Sequence, residues 1–471
     1  MSLWSAQEAA LATGGETAGD WQAEGVSIDT RTLQAGDLFV ALADQRDGHD
    51  FVAEALQKGA SAALVSRRPA DVLSDENLLY VKDVQAALEG LARAARQRSA
   101  AQVIAITGSA GKTSTKEMLR VMLQAQGKTH ASYASYNNHW GVPLTLASLP
   151  RDAAFAVVEI GMSNSGEIAP LARLVRPDAA LITTVAPAHL AAFENLEGIA
   201  REKAAIVQGL TAQGYAVLNA EAPCRSVMEQ AVAAKGCQSL WFGTGAAQAR
   251  IAQLSVKDGL TQVMASIGDL SLKFELHTVG RHFAMNALGA LALLSKLNAD
   301  VEKAARVLAQ WQPAEGRGMR HQLHASFGAF ELIDDAYNAN PVSMQAALDV
   351  LAQATSSRRV AFLGDMKELG ADERAHHSAL AQLPAIRNID LIHTAGPLMA
   401  ALHHSLPVEK RGQHFANAKE MAACVEDLLQ ADDCILVKAS LSSGLRQVVD
   451  AIKIISQSEP DGAARPVERK S

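Results

Sequence analysis

Apolar runs of strand length alternate with longer stretches of helical periodicity over most of this chain, the pattern of an α/β protein. Residues 37–42 (DLFVAL) predict a buried strand, 51–59 a helix and 61–65 a further strand, and the helical spacing of 84–98 closes this first unit. Residues 101–106 (AQVIAI) predict a short β-branched strand that runs straight into a glycine turn and a helix, so a domain boundary falls near residue 100. Further strands are predicted at 155–159, 179–184 and 215–219. Residues 254–274 alternate like a hairpin meander with Lys257-Asp258-Gly259 as its turn, and an alanine-rich helix follows at 282–297. Residues 312–318 (QPAEGRG) break all periodicity and mark a second linker. Beyond it, strands near 330–333, 359–363, 391–394 and 434–438 with helical patterns between them predict a small doubly wound sheet. The expected division is 1–99, 100–313 and 314–471, with a disordered tail from 457, where apolar residues nearly vanish.

Composition narrows the class. A chain of 471 residues with 49% hydrophobic and 20% charged residues is that of a globular protein of about three domains. A net charge of −7 argues against a nucleic-acid partner, which needs clustered positive charge, but leaves room for a few cations that hold a small anion. Cys224, Cys237, Cys424 and Cys434 lie too far apart for a CxxC site and read as reduced cytosolic thiols. The first twelve residues carry no basic segment followed by an apolar stretch, and no window reaches ~18 uninterrupted apolar residues. A cytoplasmic protein without membrane insertion is expected.

The strongest chemical signal is Thr107-Gly108-Ser109-Ala110-Gly111-Lys112-Thr113, set between a predicted strand and a predicted helix. Glycines let successive N–H groups line a concave surface, and the helix adds its positive end. Lys112 can then reach β- and γ-phosphates while the Thr113 hydroxyl completes a Mg²⁺ shell. Ile106 stands where the general P-loop pattern has its first glycine. Such a loop binds nucleotide phosphates without choosing between kinase, ATPase and ligase. Glu159 ends an apolar strand and His189 follows one, where ligands of parallel sheets bind; alone, Glu159 could be a surface residue at a strand end and His189 a hydrogen-bonded loop residue.

Residues 104–113, the run Asn137-Asn138-His139-Trp140-Gly141-Val142-Pro143-Leu144, Glu159-Ile160-Gly161-Met162, Ala188-His189-Leu190 and residues 197–203 (EGIAREK) together resemble the central domain of the Mur ligases in order and spacing. Residues 334–341 (DDAYNANP) and 363–370 (LGDMKELG) resemble the branch that adds D-alanyl-D-alanine, and the Asp-Asn-Pro-Arg motif of the diaminopimelate- or lysine-adding branch is absent. Ser27, Asp29 and Arg31 with Gly48 and His49 resemble the family's uridine-diphosphate-binding domain. The resemblance implies an N-terminal α/β UDP-binding domain, a central P-loop ATPase domain with a mostly parallel sheet, and a C-terminal Rossmann-like domain. It implies a monomer acting on UDP-N-acetylmuramoyl-tripeptide and D-alanyl-D-alanine with ATP and two Mg²⁺ ions. Lys112, Asn138, Glu159, His189 and Lys203 would be catalytic. Thr113, Glu159, His189 and Lys203 would serve the metals, Lys203 as a carbamate; without the family it would read as a solvated helix lysine. His282 and Asn286 would hold adenine, and Asp335, Asn338 and Asn340 would reach the ribose and phosphates. Either Arg317 or Arg320 would contact phosphate. Ala336 and Trp140 replace a usual serine and isoleucine, and Lys438-Ala439-Ser440-Leu441 lacks a usual final arginine, for which Arg446 is the candidate substitute.

Overall fold

The computed structural model describes residues 2–257 and 259–457. The expected turn residue Asp258 and nearly all of the expected disordered tail lie outside them.

Three sheets organise the chain. The first has five strands in the order Glu16–Thr17, Leu78–Tyr80, Ala62–Val65, Asp37–Val40, Gly25–Ser27, parallel except for the first pair. Asp83 caps the helix Val84–Arg98, which buries Leu88 and Leu91 against this sheet.

The second sheet has nine strands. At its heart lie β1 (Gln102–Thr107), β2 (Phe155–Glu159) and β3 (Ala179–Ile182), with β1 hydrogen-bonded between the other two and parallel to both. Ile104 and Ile106 of β1 face one core with Met118, Leu119 and Leu291, while Val103 and Ala105 face another with Val142, Leu146 and Ile199. That two-sided burial explains why the strands read as unbroken apolar runs. The meander forms one edge as Ala249–Lys257, Leu260–Ile267 and Leu270–Leu276, all antiparallel to their neighbours in the meander.

In the third sheet Met319–Ala325 pairs antiparallel with β4 (Gly328–Asp335). Next come Asp433–Lys438, then β5 (Arg358–Gly364), Leu391–Ala395 and Arg411–Phe415, all parallel. Asp433–Lys438, labelled β6, is the last strand in the chain order and sits in the middle of the sheet. The architecture is the expected α/β class with mostly parallel strands.

The first unit is clamped to the second. Trp4 Nε1 donates to Ala147 O at 2.9 Å, Arg98 stacks over the Trp4 ring at 3.8 Å, and Arg151 pairs with Glu8 at 2.6 Å. The third unit meets the second around the P-loop, described below. Among the described residues no helix is long and apolar enough to cross a membrane.

Candidate active site

Register fixes the site. Glu159 pairs with Ile106 and Ile182 with Thr107, so the ends of β2 and β3 flank the loop that leaves β1. The loop opens the helix α1 (Lys112–Gln124), whose first N–H groups have no intrahelical acceptor and point into the space above the sheet. Gly108 and Gly111 have φ of +152° and +82°, and a Cβ on Gly108 would lie 1.8 Å from Thr183 Oγ1. Only glycine fits there. Thr183 donates to Ala110 O, and Ser109 Oγ donates to Ala186 O at 2.9 Å, which ties the loop to the end of β3.

Thr113 Oγ1 donates to Glu159 Oε2 at 2.9 Å, and Asn137 Nδ2 donates to Oε1 at 2.7 Å. Glu159 is 1% exposed, yet no Lys, Arg or His makes an ion pair with it among the described residues. A carboxylate buried beside a hydroxyl and an amide is a hard oxygen donor waiting for a cation, and the set fits Mg²⁺. No group of three or more His, Cys, Asp or Glu able to hold a metal occurs among the described residues.

Lys112 donates to Gly108 O at 2.7 Å; burial pushes its pKa down, the Glu159 charge opposes this, and Arg317 adds to it. Lys203 lies on α2 (Leu196–Ala204) and is 2% exposed. Burial first, then the charge of Lys112, drives its amine well below the usual lysine range. Its neighbour Glu202 accepts from the N–H groups of Gly166 and Ile168 instead, and Lys203 has no ion pair or side-chain hydrogen bond among the described residues. His189 has φ +60° and its Nδ1 abuts Glu368 of the third unit without hydrogen-bond direction. Burial lowers the His189 pKa, and Glu368 opposes the shift.

The third unit supplies the opposite wall. Asn340 Nδ2 donates to Ser109 O at 3.2 Å and Arg317 Nη2 to Ser135 Oγ at 2.8 Å. Lys438 donates to Asp335 Oδ2 at 2.7 Å and to Asn338 O at 2.9 Å; burial raises the Asp335 pKa and Lys438 opposes it. Between the walls lies a cavity of about 510 Å³ lined by Gly111, Asn286, His282, Asp335, Asn338 and Lys438, among others. His282 and Asn286 stand on α3 (Arg281–Leu294), and burial pushes the His282 pKa down to about 4, so it is neutral at pH 7.

The structure separates residues that the sequence leaves together. Asn137, not Asn138, reaches Glu159; the Asn138 side chain accepts the Gly141 N–H at 2.9 Å, at the start of the following helix. Arg317 reaches the P-loop side, whereas Arg320 holds Glu331 through two bonds of 2.6 and 2.7 Å. Arg446 is bound to Glu315 and Asp450, each at 3.1 Å, and lines neither large cavity. Ser135, Asn137 and Glu368 were not singled out by residue type, since their roles arise only from the loops that fold over the sheet. Arg317→Ala is expected to cut turnover about tenfold with little change in melting temperature. Arg320→Ala should instead lower the melting temperature by about 2–4 °C, because Glu331 is left unpaired. Steady-state rates and thermal melts on the two variants check the split.

A second cavity of about 780 Å³ opens between the first unit and His139 and Trp140 of the second. Asp29, Arg31, Gly48 and His49 line it. Ser27 lies beneath, accepting the Asp29 N–H, and Arg31 pairs with Asp29 at 2.6 Å. His49 accepts the Ser66 N–H on Nε2 and meets Asp47 through Nδ1 at 2.6 Å, which fixes its tautomer. A Cβ on Gly48 would sit 2.4 Å from Leu42 O.

Comparison with known proteins places this geometry in a class. The chain matches the Mur ligase middle domain over residues 106–294, the Mur ligase glutamate ligase domain over 319–441 and the Mur ligase family catalytic domain over 22–97. The chain belongs to the Mur ligase family. It is 36% identical to the UDP-N-acetylmuramoyl-tripeptide--D-alanyl-D-alanine ligase of Escherichia coli over 91% of this chain and 94% of the relative. The enzyme of the same name from Bacillus subtilis is 34% identical over 90% and 92%. A crystal structure of MurF from Acinetobacter baumannii superposes with a TM-score of 0.83 at 30% identity, covering 96% of this chain and 99% of that one.

Proposed function

We propose that this chain is an ATP-dependent amide ligase that joins D-alanyl-D-alanine to UDP-N-acetylmuramoyl-tripeptide during peptidoglycan precursor synthesis. The observation that carries the reading is end-to-end similarity to ligases of that name, 36% identical over 91% of the chain, together with the buried Glu159 beside the P-loop. The three units divide the work at about 1–99, 100–313 and 314–471. The cavity of the first unit takes the UDP group near Asp29, Arg31 and His49, and the cavity between the second and third units takes ATP.

A terminal carboxylate oxygen of the tripeptide attacks the γ-phosphorus of ATP; the bond to the β-bridging oxygen breaks and ADP leaves. The amine of D-alanyl-D-alanine then attacks the acyl-phosphate carbon, phosphate departs with the bonding electrons, and the amine loses its proton. In the first step two anions meet, so charge neutralisation sets the barrier. Lys112 and Arg317 hold the γ-phosphate, and Asp335, Asn338 and Asn340 orient ribose and phosphates. His282 and Asn286 border the adenine. Bound Mg²⁺ would supply Lewis-acid neutralisation of the phosphates, held by Thr113 and Glu159 and, at a second position, near His189 and Lys203. Burial pushes the Lys203 amine well below the usual lysine range, and in its neutral form it would add CO₂ with loss of a proton, becoming an anion suited to that second position. The contacts from Arg317 and Asn340 to the second unit bring the third unit over the phosphate loop, and fuller closure on substrate would keep out the water that hydrolyses an acyl phosphate. Nucleotide-linked substrates fit a cytoplasmic enzyme, and on this reading the chain acts as a monomer.

Phosphate release from ATP is expected to require both UDP-N-acetylmuramoyl-tripeptide and D-alanyl-D-alanine, with a product heavier by one dipeptide minus water in the mass spectrum. Release indifferent to the dipeptide would sink the acceptor assignment.

A further inference from the structure

Lys116, one turn into α1, is 0% exposed and touches no part of either large cavity. An ammonium is among the costliest groups to bury, so a lysine retained there must be held by a full set of acceptors. Its Nζ donates to Ser132 O at 2.8 Å and to Ala134 O at 2.5 Å, and pairs with Glu117 Oε1 at 3.0 Å. Three acceptors match its three protons. Glu117 is in turn fixed by Arg120 at 2.6 Å.

The two carbonyls belong to the loop that follows the edge strand Thr129–Ala131. That loop is held in an unfavourable shape, since Ala134 has φ +45°, a left-handed conformation that an alanine adopts at a cost. The shape has a use. Ser132 Oγ accepts the Glu159 N–H at 3.1 Å, Ser135 Oγ lies 3.4 Å from Thr113 Oγ1 and accepts from Arg317, and Asn137 holds Glu159. One loop thus touches the hydroxyl, the carboxylate and the guanidinium that define the phosphate-facing wall.

We propose that Lys116 is a positioning residue that clamps residues 132–137 so that Ser135 and Asn137 hold Thr113, Glu159 and Arg317 in register for the metal and the γ-phosphate. The role rests on the reading of Thr113 and Glu159 as the Mg²⁺ site. Without the ammonium, the Ser132 and Ala134 carbonyls lose their donor and the left-handed turn relaxes. Glu159 and Thr113 would remain, but their spacing would no longer be set. The contribution is preorganisation, with no contact to the reacting atoms.

The test uses the full chain with both substrates and a Mg²⁺ titration of phosphate release. Lys116→Met keeps an unbranched apolar stem one atom shorter and removes the charge; Lys116→Gln, of the same length as methionine, keeps a neutral donor. For Lys116→Met the Mg²⁺ concentration at half-maximal rate is expected to rise about tenfold and kcat to fall about tenfold, with KM for the UDP-peptide within about twofold of the parent. Lys116→Gln should fall between the two. Adding Ser135→Ala to Lys116→Met should cost much less than it costs the parent chain, because both act through one loop. Unchanged Mg²⁺ dependence, fully additive losses, or failure of both Lys116 variants to fold would each overturn the proposal, the last by assigning the lysine to sheet stability. Turnover of the parent chain indifferent to Mg²⁺ would instead remove the Thr113–Glu159 metal reading itself.

Discussion

Lys112→Ala is expected to lower the rate of ADP formation by about 10²-fold or more while leaving the fold intact. The side chain donates to Gly108 O at 2.7 Å across the mouth of its own loop, so alanine removes no packing that holds β1 or α1 together. What disappears is a positive charge at the point where a carboxylate must approach a triphosphate. The Glu159 carboxylate would then face the phosphates with less compensation, so nucleotide affinity should fall together with kcat. Lys112→Arg should recover little, because a planar fork cannot replace a compact ammonium inside a narrow loop. Parallel measurements of ATP binding and single-turnover phosphate release would check this. Turnover within a few-fold of the parent would remove Lys112 from phosphate contact.

The second large effect concerns Lys203. Alanine at this position is expected to abolish most turnover, by about 10²-fold, and short-chain carboxylic acids in the buffer should restore part of it. The expectation comes from what surrounds the amine. It is 2% exposed, lacks an ion pair among the described residues and lies near the charge of Lys112, so a permanent cation there is disfavoured. On the proposed reading, adding CO₂ with loss of a proton would exchange that disfavoured cation for an anion able to balance Lys112 and a metal ion. Rescue that depends on acid size would mark a cavity shaped for a carbamate. A variant with undiminished activity in plain buffer would take Lys203 out of the site.

Much of the fold was legible because buried strands carry their own signal. Phe155–Glu159, Tyr215–Asn219 and Val84–Arg98 coincide with the apolar runs and the helical period that predict them. Strands with polar sequences escaped. Met319–Ala325 (MRHQLHA) lies at a sheet edge, where one side of the strand has no partner and alternation is not required. Thr129–Ala131 and Arg411–Phe415 are edges as well. In the site, motif spacing brought Lys112, Thr113 and Glu159 to one place through the parallel register. The sequence pointed to Asn138 where the structure brings Asn137 to Glu159, and it left Arg317 and Arg320 open. Adjacent residues of one chemistry differ only in the direction their backbone gives them. Arg320 pairs across the hairpin with Ile333, and although it borders the nucleotide cavity its guanidinium is taken by the diagonal Glu331.

The central position of β6 has a consequence for synthesis on the ribosome. β4 and β5 both need Asp433–Lys438 as their hydrogen-bonded neighbour, and Lys438 also supplies the ammonium that holds Asp335. Nearly one hundred residues separate the end of β4 from that strand, which at about 5–20 residues per second means roughly 5–20 s of translation. Throughout that interval the two strands remain unpaired on the side where β6 will insert, and the wall that carries Asp335 and Asn338 lacks its anchor. The P-loop unit is made first, but a nascent chain cannot assemble a complete nucleotide site.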